Sequence, residues 1–455
     1  MMTEETEIRP WEELEDILEK ADVSEMARYL DELPAEEVAR ALSRLSADDQ
    51  TEIIHMLDWE DAAELMEQIP NSLAADLLSQ VPADDAAQVL NLMQSNERAD
   101  LLSEFDEEEA EAILEAMQPE AATDARLLSS YPPEVAGGLM ITEYLWHYET
   151  AVVDDVIRDF REHAEIYSDY DVQYTYIVTE DMILIGVLRL RDLLLSPRQR
   201  KIKDIMIRSP LSVRDDTPLT ELGRFFDEHE FIGVPVTDAD GRLIGIVRHE
   251  DVDDALIDRA DSDYLKSQGI VGGEELRSMP IWRRSSRRLS WLSINIVLNM
   301  IAASVIAFYQ DTLSAVIALA VFLPIISDMS GCSGNQAVAV SIRELSLGLI
   351  KPFEVFRVWM KEISVGLING VVLGLLLGAA AYLWKGNIYL GMVVASAMAI
   401  NTIVAVSIGG CVPLVLKWLK SDPALASGPI LTTITDMCGF LLVLSFATMM
   451  LVKLQ

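Results

Sequence analysis

Asp422-Pro423-Ala424-Leu425-Ala426-Ser427-Gly428-Pro429-Ile430-Leu431-Thr432-Thr433-Ile434-Thr435-Asp436-Met437-Cys438-Gly439 opens the last apolar stretch of the chain, which continues through Phe440-Leu441-Leu442-Val443-Leu444 to Met450. At about 1.5 Å of rise per residue such a stretch spans a bilayer. Asp436 falls in its middle. A carboxylate there costs about 2.5–3.5 kcal/mol, so an intramembrane Asp is by default a functional-site candidate. Thr432, Thr433 and Thr435 add hydroxyl oxygens, and Gly428 and Pro429 loosen the helix backbone. Oxygen-rich, irregular backbone is tolerated at membrane depth only inside protein or beside water. The combination points to a path for a hard cation. The competing reading is an Asp capped by a neighbouring helix for stability alone.

Working back from that stretch, five spans are expected, at about 291–309, 313–346, 362–384, 389–417 and 424–452. Arg283, Arg284, Arg287 and Arg288 precede the first, Lys351, Arg357 and Lys361 lie between the second and third, and Lys417 and Lys420 follow the fourth. The positive-inside rule places these loops and the N-terminus in the cytoplasm, and five crossings place the C-terminus outside. The second span is too long for one crossing, and Pro324 and Gly331 are expected to kink it. It also carries Ser327-Asp328-Met329-Ser330-Gly331-Cys332-Ser333-Gly334-Asn335-Gln336. Close helix packing explains the glycines. It explains Asp328 poorly, and at mid-membrane Asp328 and Asp436 could face one cavity.

Charge divides the chain in two. Residues 281–455 hold 12 of the 35 basic and 7 of the 74 acidic residues, a net of +5; the first 280 hold the other 23 and 67, a net of −44. So acidic a region repels nucleic acid and anionic surfaces and attracts cations, although generic solubilising acidity has the same signature. Cys332, Cys411 and Cys438 are scattered through the membrane part and read as small apolar residues. The five histidines lack zinc spacing, and no nucleophile–base pair or Walker loop is present, which argues against an enzyme. The start, Met1-Met2-Thr3-Glu4-Glu5, does not read as a signal peptide.

Residues 33–128 repeat every twelve residues, from LPAEEVARALSR at Leu33 to MQPEAATDARLL at Met117. Each of the eight units opens on a large apolar residue, usually followed by a helix-start residue and then acids, the order a helix N-terminus favours. Short helices stacked into a solenoid are expected, each burying its face on its neighbours. Beyond it, Tyr174-Thr175-Tyr176-Ile177-Val178 and Gly233-Val234-Pro235-Val236-Thr237 are strand-like runs about 59 residues apart. Each is followed by a turn, a second strand around a Gly, and an Asp opening a helix. These modules resemble cystathionine-β-synthase (CBS) domains in tandem. That resemblance implies ATP or another adenine nucleotide as a ligand, with Asp251 near the ribose, although no glycine-rich phosphate loop is present. Gly272-Gly273 is expected to interrupt a helix in the connector that follows.

The whole order resembles the MgtE family of magnesium channels, and Asp422–Gly439 is similar to that family's last-span signature. The resemblance covers nearly the whole chain. It implies a multidomain fold: an all-α superhelical N domain (1–134), an α/β tandem CBS pair (135–255), a connecting plug-like helix (256–289) and a five-helix α transmembrane domain (290–455). It also implies a homodimeric, magnesium-selective channel of the plasma membrane, with Asp436 lining the pore on the dimer axis. Thr432, Thr433 and Asp328 join it as candidate pore residues. Asn335 and Gln336 match a second-span Gly-Asn-Gln element, and Asp422 matches a loop acid facing the connecting helix. Cys332 stands where the family commonly has Asn, so any pore role of that amide is not carried over. In the family, internal magnesium closes the channel by bridging cytosolic carboxylates. The candidates here are Asp251, Asp254, Asp258, Asp261 and Asp263, with Asp422; each also reads as a solvated helix-face charge. Mg²⁺ takes oxygen ligands and sheds water reluctantly, which suits a pore with few carboxylates. Two other readings stay open: a secondary transporter of divalent cations, which would show inverted repeats and broken helices, and a membrane sensor that transports nothing.

Overall fold

The computed structural model describes residues 9–454 apart from 165–166, 168–169, 171–172, 274 and 278; the acidic start of the chain lies outside the described residues. It divides into two compact units, Met1–Ile257 with Arg277–Met279, and Asp258–Leu276 with Pro280–Gln455.

The first unit opens with α1 (Pro10–Lys20) and α2 (Val23–Glu32). Eight helices follow: α3 (Ala35–Leu42), α4 (Ala47–Met56), α5 (Trp59–Gln68), α6 (Asn71–Leu78), α7 (Ala83–Leu92), α8 (Ser95–Glu104), α9 (Glu107–Ala116) and α10 (Pro119–Leu128). They fall one to each twelve-residue unit. The apolar residue that opens a unit is buried at Leu45, Leu57, Ile69, Val81, Met93, Phe105 and Met117. The residue after it starts the helix. Ser46 and Asp58 accept the amides of Asp49 and Asp61 through their side chains, while Pro34, Pro70 and Pro82 hold the N-cap extended. The helices do not simply stack on their sequence neighbours. α8 packs on α6 and α10, and α7 on α5 and α9. The structural repeat is therefore a pair of units, with alternate helices in alternate layers.

The chain then forms α11 (Ala136–Leu139), β1 (Trp146–Tyr148), α12 (Val153–Glu162), β2 (Tyr174–Val178), β3 (Leu184–Arg189), α13 (Leu190–Leu194), β4 (Ile207–Arg208), β5 (Val213–Arg214), α14 (Leu219–Glu228), β6 (Gly233–Thr237), β7 (Leu243–Arg248) and α15 (His249–Ser267). β2 and β6 coincide with the two runs read as strands. The sheets are ordered β1-β2-β3-β4 and β5-β6-β7. In both, a parallel pair is followed by an antiparallel pair, and the same register shift recurs at Ile177/Val178 and Val236/Thr237. A bulge repeated at the same point of each module is the mark of a duplicated unit. Bridges between Ile183 and Arg242 and between Ile141 and Ile246 tie the two modules together. α15 is a single helix, so the boundary expected at 255/256 lies within it. It ends at Ser267, and Gly269, Gly272 and Gly273 then take positive φ. The interruption expected at Gly272-Gly273 therefore comes a few residues earlier.

The second unit contains α16 (Ile281–Phe308), α17 (Gln310–Ala315), α18 (Leu319–Ser346), α19 (Val355–Lys385), α20 (Ile388–Trp418), α21 (Pro423–Met449) and α22 (Leu451–Leu454). Among the described residues, four helical stretches are long and apolar enough to cross a membrane: Ile281–Phe308, Pro352–Lys385, Ile388–Trp418 and Ser427–Met449. α18 is also 28 residues long, but the polar run Ser327–Gln336 lowers its apolar character. Its N-terminal excess is removed by a turn at Val316–Ala318, ahead of the expected kink sites; the helix then runs through Pro324 and Gly331. α20 is the hub, packed against α18, α19 and α21. Gly366, Gly370, Gly374 and Gly378 form a stripe on α19 that lets α20 approach. A Cβ on Gly370 or Gly374 would sit 2.6 Å from the carbonyl oxygen of Ala399 or Ala395. Small residues every fourth position are how membrane helices reach backbone contact. Phe322, Ile326, Val394, Met398 and Leu444 fill the adjoining core.

Candidate cation path

α21 is unbroken from Pro423 to Met449, with Pro429 inside it. A proline in a helix removes one i→i−4 hydrogen bond, and here the threonines bond locally. Thr432 Oγ1 donates to the Gly428 carbonyl at 3.0 Å and Thr433 Oγ1 to the Pro429 carbonyl at 2.8 Å. The helix that a transporter of the secondary type would break at Gly428-Pro429 is continuous here. Asp436 follows Thr432 by one turn and is half-buried, while Thr432 is exposed. Ser327 Oγ on α18 donates a hydrogen bond to Asp436 Oδ1. Asp328, Cys332, Asn335 and Gln336 are all exposed on α18. Their spacing of four, three and one residues puts them on one side of the helix. The structure thus brings α18 and α21 together at Asp436 and leaves a polar face on α18 uncovered within the single chain.

A second anchor comes from α20. Asn401 is fully buried, and its Nδ2 donates to the Thr435 carbonyl at 3.1 Å. In the sequence Ser327 stands out only as part of the polar run 327–336, and Asn401 does not stand out at all. The available signal for Asn401 was a lone amide in an otherwise very apolar span. Asp422 caps α21 by accepting the Ala424 amide at 2.8 Å, and its other oxygen lies 3.5 Å from Lys266 Nζ near the end of α15. Lys266 was also missed, because a basic residue so soon after five acids reads as a solvated charge.

Asp251, Asp254, Asp258 and Asp261 recur every three or four residues along α15, and Asp254, Asp258 and Asp261 are exposed. Asp263 is half-buried on the same helix. Asp251 differs from the rest: both of its oxygens accept from Arg248, at 2.6 and 2.9 Å. In the same unit, burial pushes the Glu97 carboxyl up to about 7, with Asp100, Glu67 and Asp251 adding repulsion and Arg248 opposing them. Burial also raises Glu67, although the Gln94 amide donates to it. Glu97 and Glu67 are further residues the sequence did not single out. Among the described residues, no three His, Cys, Asp or Glu side chains of one chain converge as a metal-binding group.

A cleft of about 250 Å³ lies between the two CBS-like modules, lined by Tyr174, Tyr176, Arg189, Ser209, Phe231 and Pro235 among others. Asp251 is not among its lining residues.

Residues 323–446 match the family model of the MgtE divalent cation transporter, residues 9–98 and 37–134 match the MgtE intracellular N domain, and residues 202–258 match the CBS domain. The chain is 32% identical over 336 residues to the magnesium transporter MgtE of Bacillus subtilis, covering 74% of each protein. It belongs to the MgtE family. A second MgtE, from Thermus thermophilus, is 33% identical over 341 residues, again 74% of each protein. The chain is also similar, over 54% of its length, to a crystal structure of the cytosolic domain of the Mg²⁺ channel MgtE in complex with ATP, at 27% identity and a TM-score of 0.49, covering 99% of that structure. MgtE proteins are magnesium transporters and not enzymes. Membership joins the three parts of this chain: a helical N domain, a CBS pair and a membrane-spanning helical region.

Proposed function

We propose that two copies of this chain form a magnesium channel of the plasma membrane, with Asp436 of each copy at the ion path and cytosolic magnesium as the closing signal. The observation that carries this reading is the meeting of α18 and α21. Ser327 bonds Asp436, while Asp328, Cys332, Asn335 and Gln336 line an exposed face of a helix set among apolar spans. Polar side chains at membrane depth face a partner or water, not lipid. A second copy across an axis covers that face and doubles each carboxylate. A pair of acids with hydroxyl, amide and backbone oxygens suits a hydrated Mg²⁺, which keeps several of its waters. In this reading α18 also crosses the membrane, second in chain order, and brings the number of spans to five. The arginines before α16 then face the cytoplasm together with the N-terminus, and the C-terminus is extracytoplasmic.

The sensor is assigned to Asp251, Asp254, Asp258, Asp261 and Asp263, with Asp422 near the membrane end of α15. The stripe on α15 presents carboxylates to solvent, and a divalent cation bridging two such surfaces would draw them together. Asp251, tied to Arg248 and repelling the buried Glu97, belongs to an acidic site, which supports a cation role there more than a ribose contact. α15 acts as the connecting helix, with the Lys266–Asp422 ion pair as its link to α21. An adenine nucleotide suits the cleft between the modules, where Tyr174 and Phe231 offer ring faces and Arg189 a cation for phosphate.

The test is Mg²⁺ flux through the purified chain in liposomes under a membrane potential. Wild type conducts, and Asp436→Asn, which deletes charge and keeps shape, abolishes flux in a protein that is still folded and dimeric. Asp328→Asn has the smaller effect. Normal flux in the Asp436→Asn variant removes Asp436 from the pore; no flux in wild type leaves only the non-transporting sensor.

A further inference from the structure

We infer that Asn401 is a positioning residue for the pore carboxylate, and that it sets how well the channel distinguishes Mg²⁺ from larger divalent cations. The inference rests on the proposed role of Asp436 and adds to it the means by which that side chain is held.

The carbonyl that Asn401 engages, that of Thr435, belongs to the same peptide plane as the Asp436 amide. A hydrogen bond of 3.1 Å from Nδ2 therefore fixes the backbone immediately before the carboxylate. Ser327, on a different helix, fixes one oxygen of the carboxylate itself. Asp436 is thus held from α20 through its backbone and from α18 through its side chain. Gly439, one turn further on, completes the arrangement. A Cβ there would lie 2.9 Å from Asn401 Nδ2 and 3.6 Å from Ile326 Cγ2, so only glycine lets the amide reach Thr435 undisturbed.

The other half of the amide argues against a purely structural role. Asn401 Oδ1 is buried and has no hydrogen-bond partner. Leaving an acceptor unpaired in a buried site is unfavourable, and an apolar side chain of similar size would avoid that cost. Leucine has that size. The amide stands here although half of it is unsatisfied, and its one bond is aimed at the peptide of Asp436. An ion held through its water shell is discriminated by geometry, since Mg²⁺ requires a near-octahedral arrangement and larger cations accept a looser one. A carboxylate free to shift along or around α21 loses that discrimination.

The experiment measures flux through the full chain in liposomes against Mg²⁺ concentration, and the ratio of Mg²⁺ to Ca²⁺ flux, for wild type, Asn401→Leu, Gly439→Ala and Asp436→Asn. Asn401→Leu is expected to raise the half-saturating Mg²⁺ concentration roughly threefold to tenfold, the scale of one interhelix hydrogen bond in a membrane protein. It is also expected to lower the flux ratio, with little change in maximal flux. Gly439→Ala, which pushes on the amide from the other side, moves both readouts in the same direction. Half-saturation and flux ratio unchanged in folded Asn401→Leu overturn the inference, as does a fall in maximal flux alone, which is what loss of correctly folded channels produces. If Asn401→Leu yields no monodisperse protein, Gly439→Ala decides by the same two readouts. Asp436→Asn separates the two levels of the argument. Flux retained in that variant overturns the pore assignment and this inference with it, whereas a silent Asp436→Asn beside an unchanged Asn401→Leu overturns only the role of Asn401.

Discussion

A carboxylate in a membrane helix persists only when something nearby answers it, and Asp436 is answered by a hydroxyl on one neighbouring helix. The first unit shows the same rule with a different outcome. Glu97 lies among Glu67, Asp100 and Asp251 with Arg248 as the opposing charge, and burial pushes its carboxyl up to about 7. The folded protein therefore holds the Glu97 proton more tightly than the unfolded chain, whose carboxyl titrates near its ordinary value of 4.5. Between those two values the native state binds more protons, so this residue's contribution to stability falls as pH rises and the penalty is complete above about 7. Glu97→Gln is expected to raise the thermal midpoint at pH 8, to have little effect near pH 4.5, and to flatten the dependence between. Circular-dichroism melts of the full chain across that range are the check; a parallel shift at every pH would mean that the change acts through packing and not through the charge.

At the scale of the element, α15 and α19 use opposite devices. The glycine stripe of α19 removes side chains so that α20 can approach. α15 instead keeps Asp254, Asp258 and Asp261 exposed on a helix with several further acids. Neutralising Asp254, Asp258, Asp261 and Asp263 to Asn together is expected to shift closure to higher cytosolic Mg²⁺ without changing ion selectivity. Two effects compete. Removing repulsion favours approach of the acidic surfaces, and removing bridging sites disfavours closure by the metal. Repulsion between exposed carboxylates is screened over about 8–10 Å at physiological salt, whereas a bridging ion contacts its oxygens directly, so lost bridging prevails. A ligand moves a two-state equilibrium only through its differential affinity for the states, and in the proposed sensor those sites would supply the difference. Open probability in membrane patches against cytosolic-side Mg²⁺ reads the outcome; an unchanged curve rejects α15 as sensor, and closure at lower Mg²⁺ means that repulsion dominates.

For the whole molecule, the solenoid is joined to the CBS-like pair by specific contacts. Ser95 Oγ donates to Glu143 at 2.6 Å, Thr142 Oγ1 donates to Asp124 at 3.1 Å, and Ala99 and Leu128 share a core with Leu139 and Met140. The solenoid and the pair thus share a packed interface, and none of the proposed pore residues lies in the solenoid. Deleting residues 1–130 is expected to leave conduction intact and to weaken shutdown by internal Mg²⁺, read as flux at high and low cytosolic-side Mg²⁺. Loss of all conduction in a folded, dimeric truncation would make the solenoid part of the pore machinery.

Local signals carried much of this. A twelve-residue period with an apolar opener and a capping residue specified eight short helices, because periodicity and caps act within one or two turns. Alternating apolar runs specified β2 and β6, and long apolar runs specified most of the membrane helices. Asp436 stood out because charge in hydrocarbon is costly wherever the chain places it. What each of these touches was settled only by packing. Ser327 meets Asp436 across 109 positions and Asn401 meets Thr435 across 34. Lys266 pairs with Asp422 across a whole set of spans. The solenoid helices pair with next-but-one neighbours, and the long second apolar run breaks at Val316–Ala318, not at its proline. Period and composition determine which face of an element is apolar; they do not determine which distant element covers it. That choice depends on shape and on which polar groups find partners, and it exists only in the assembled tertiary structure.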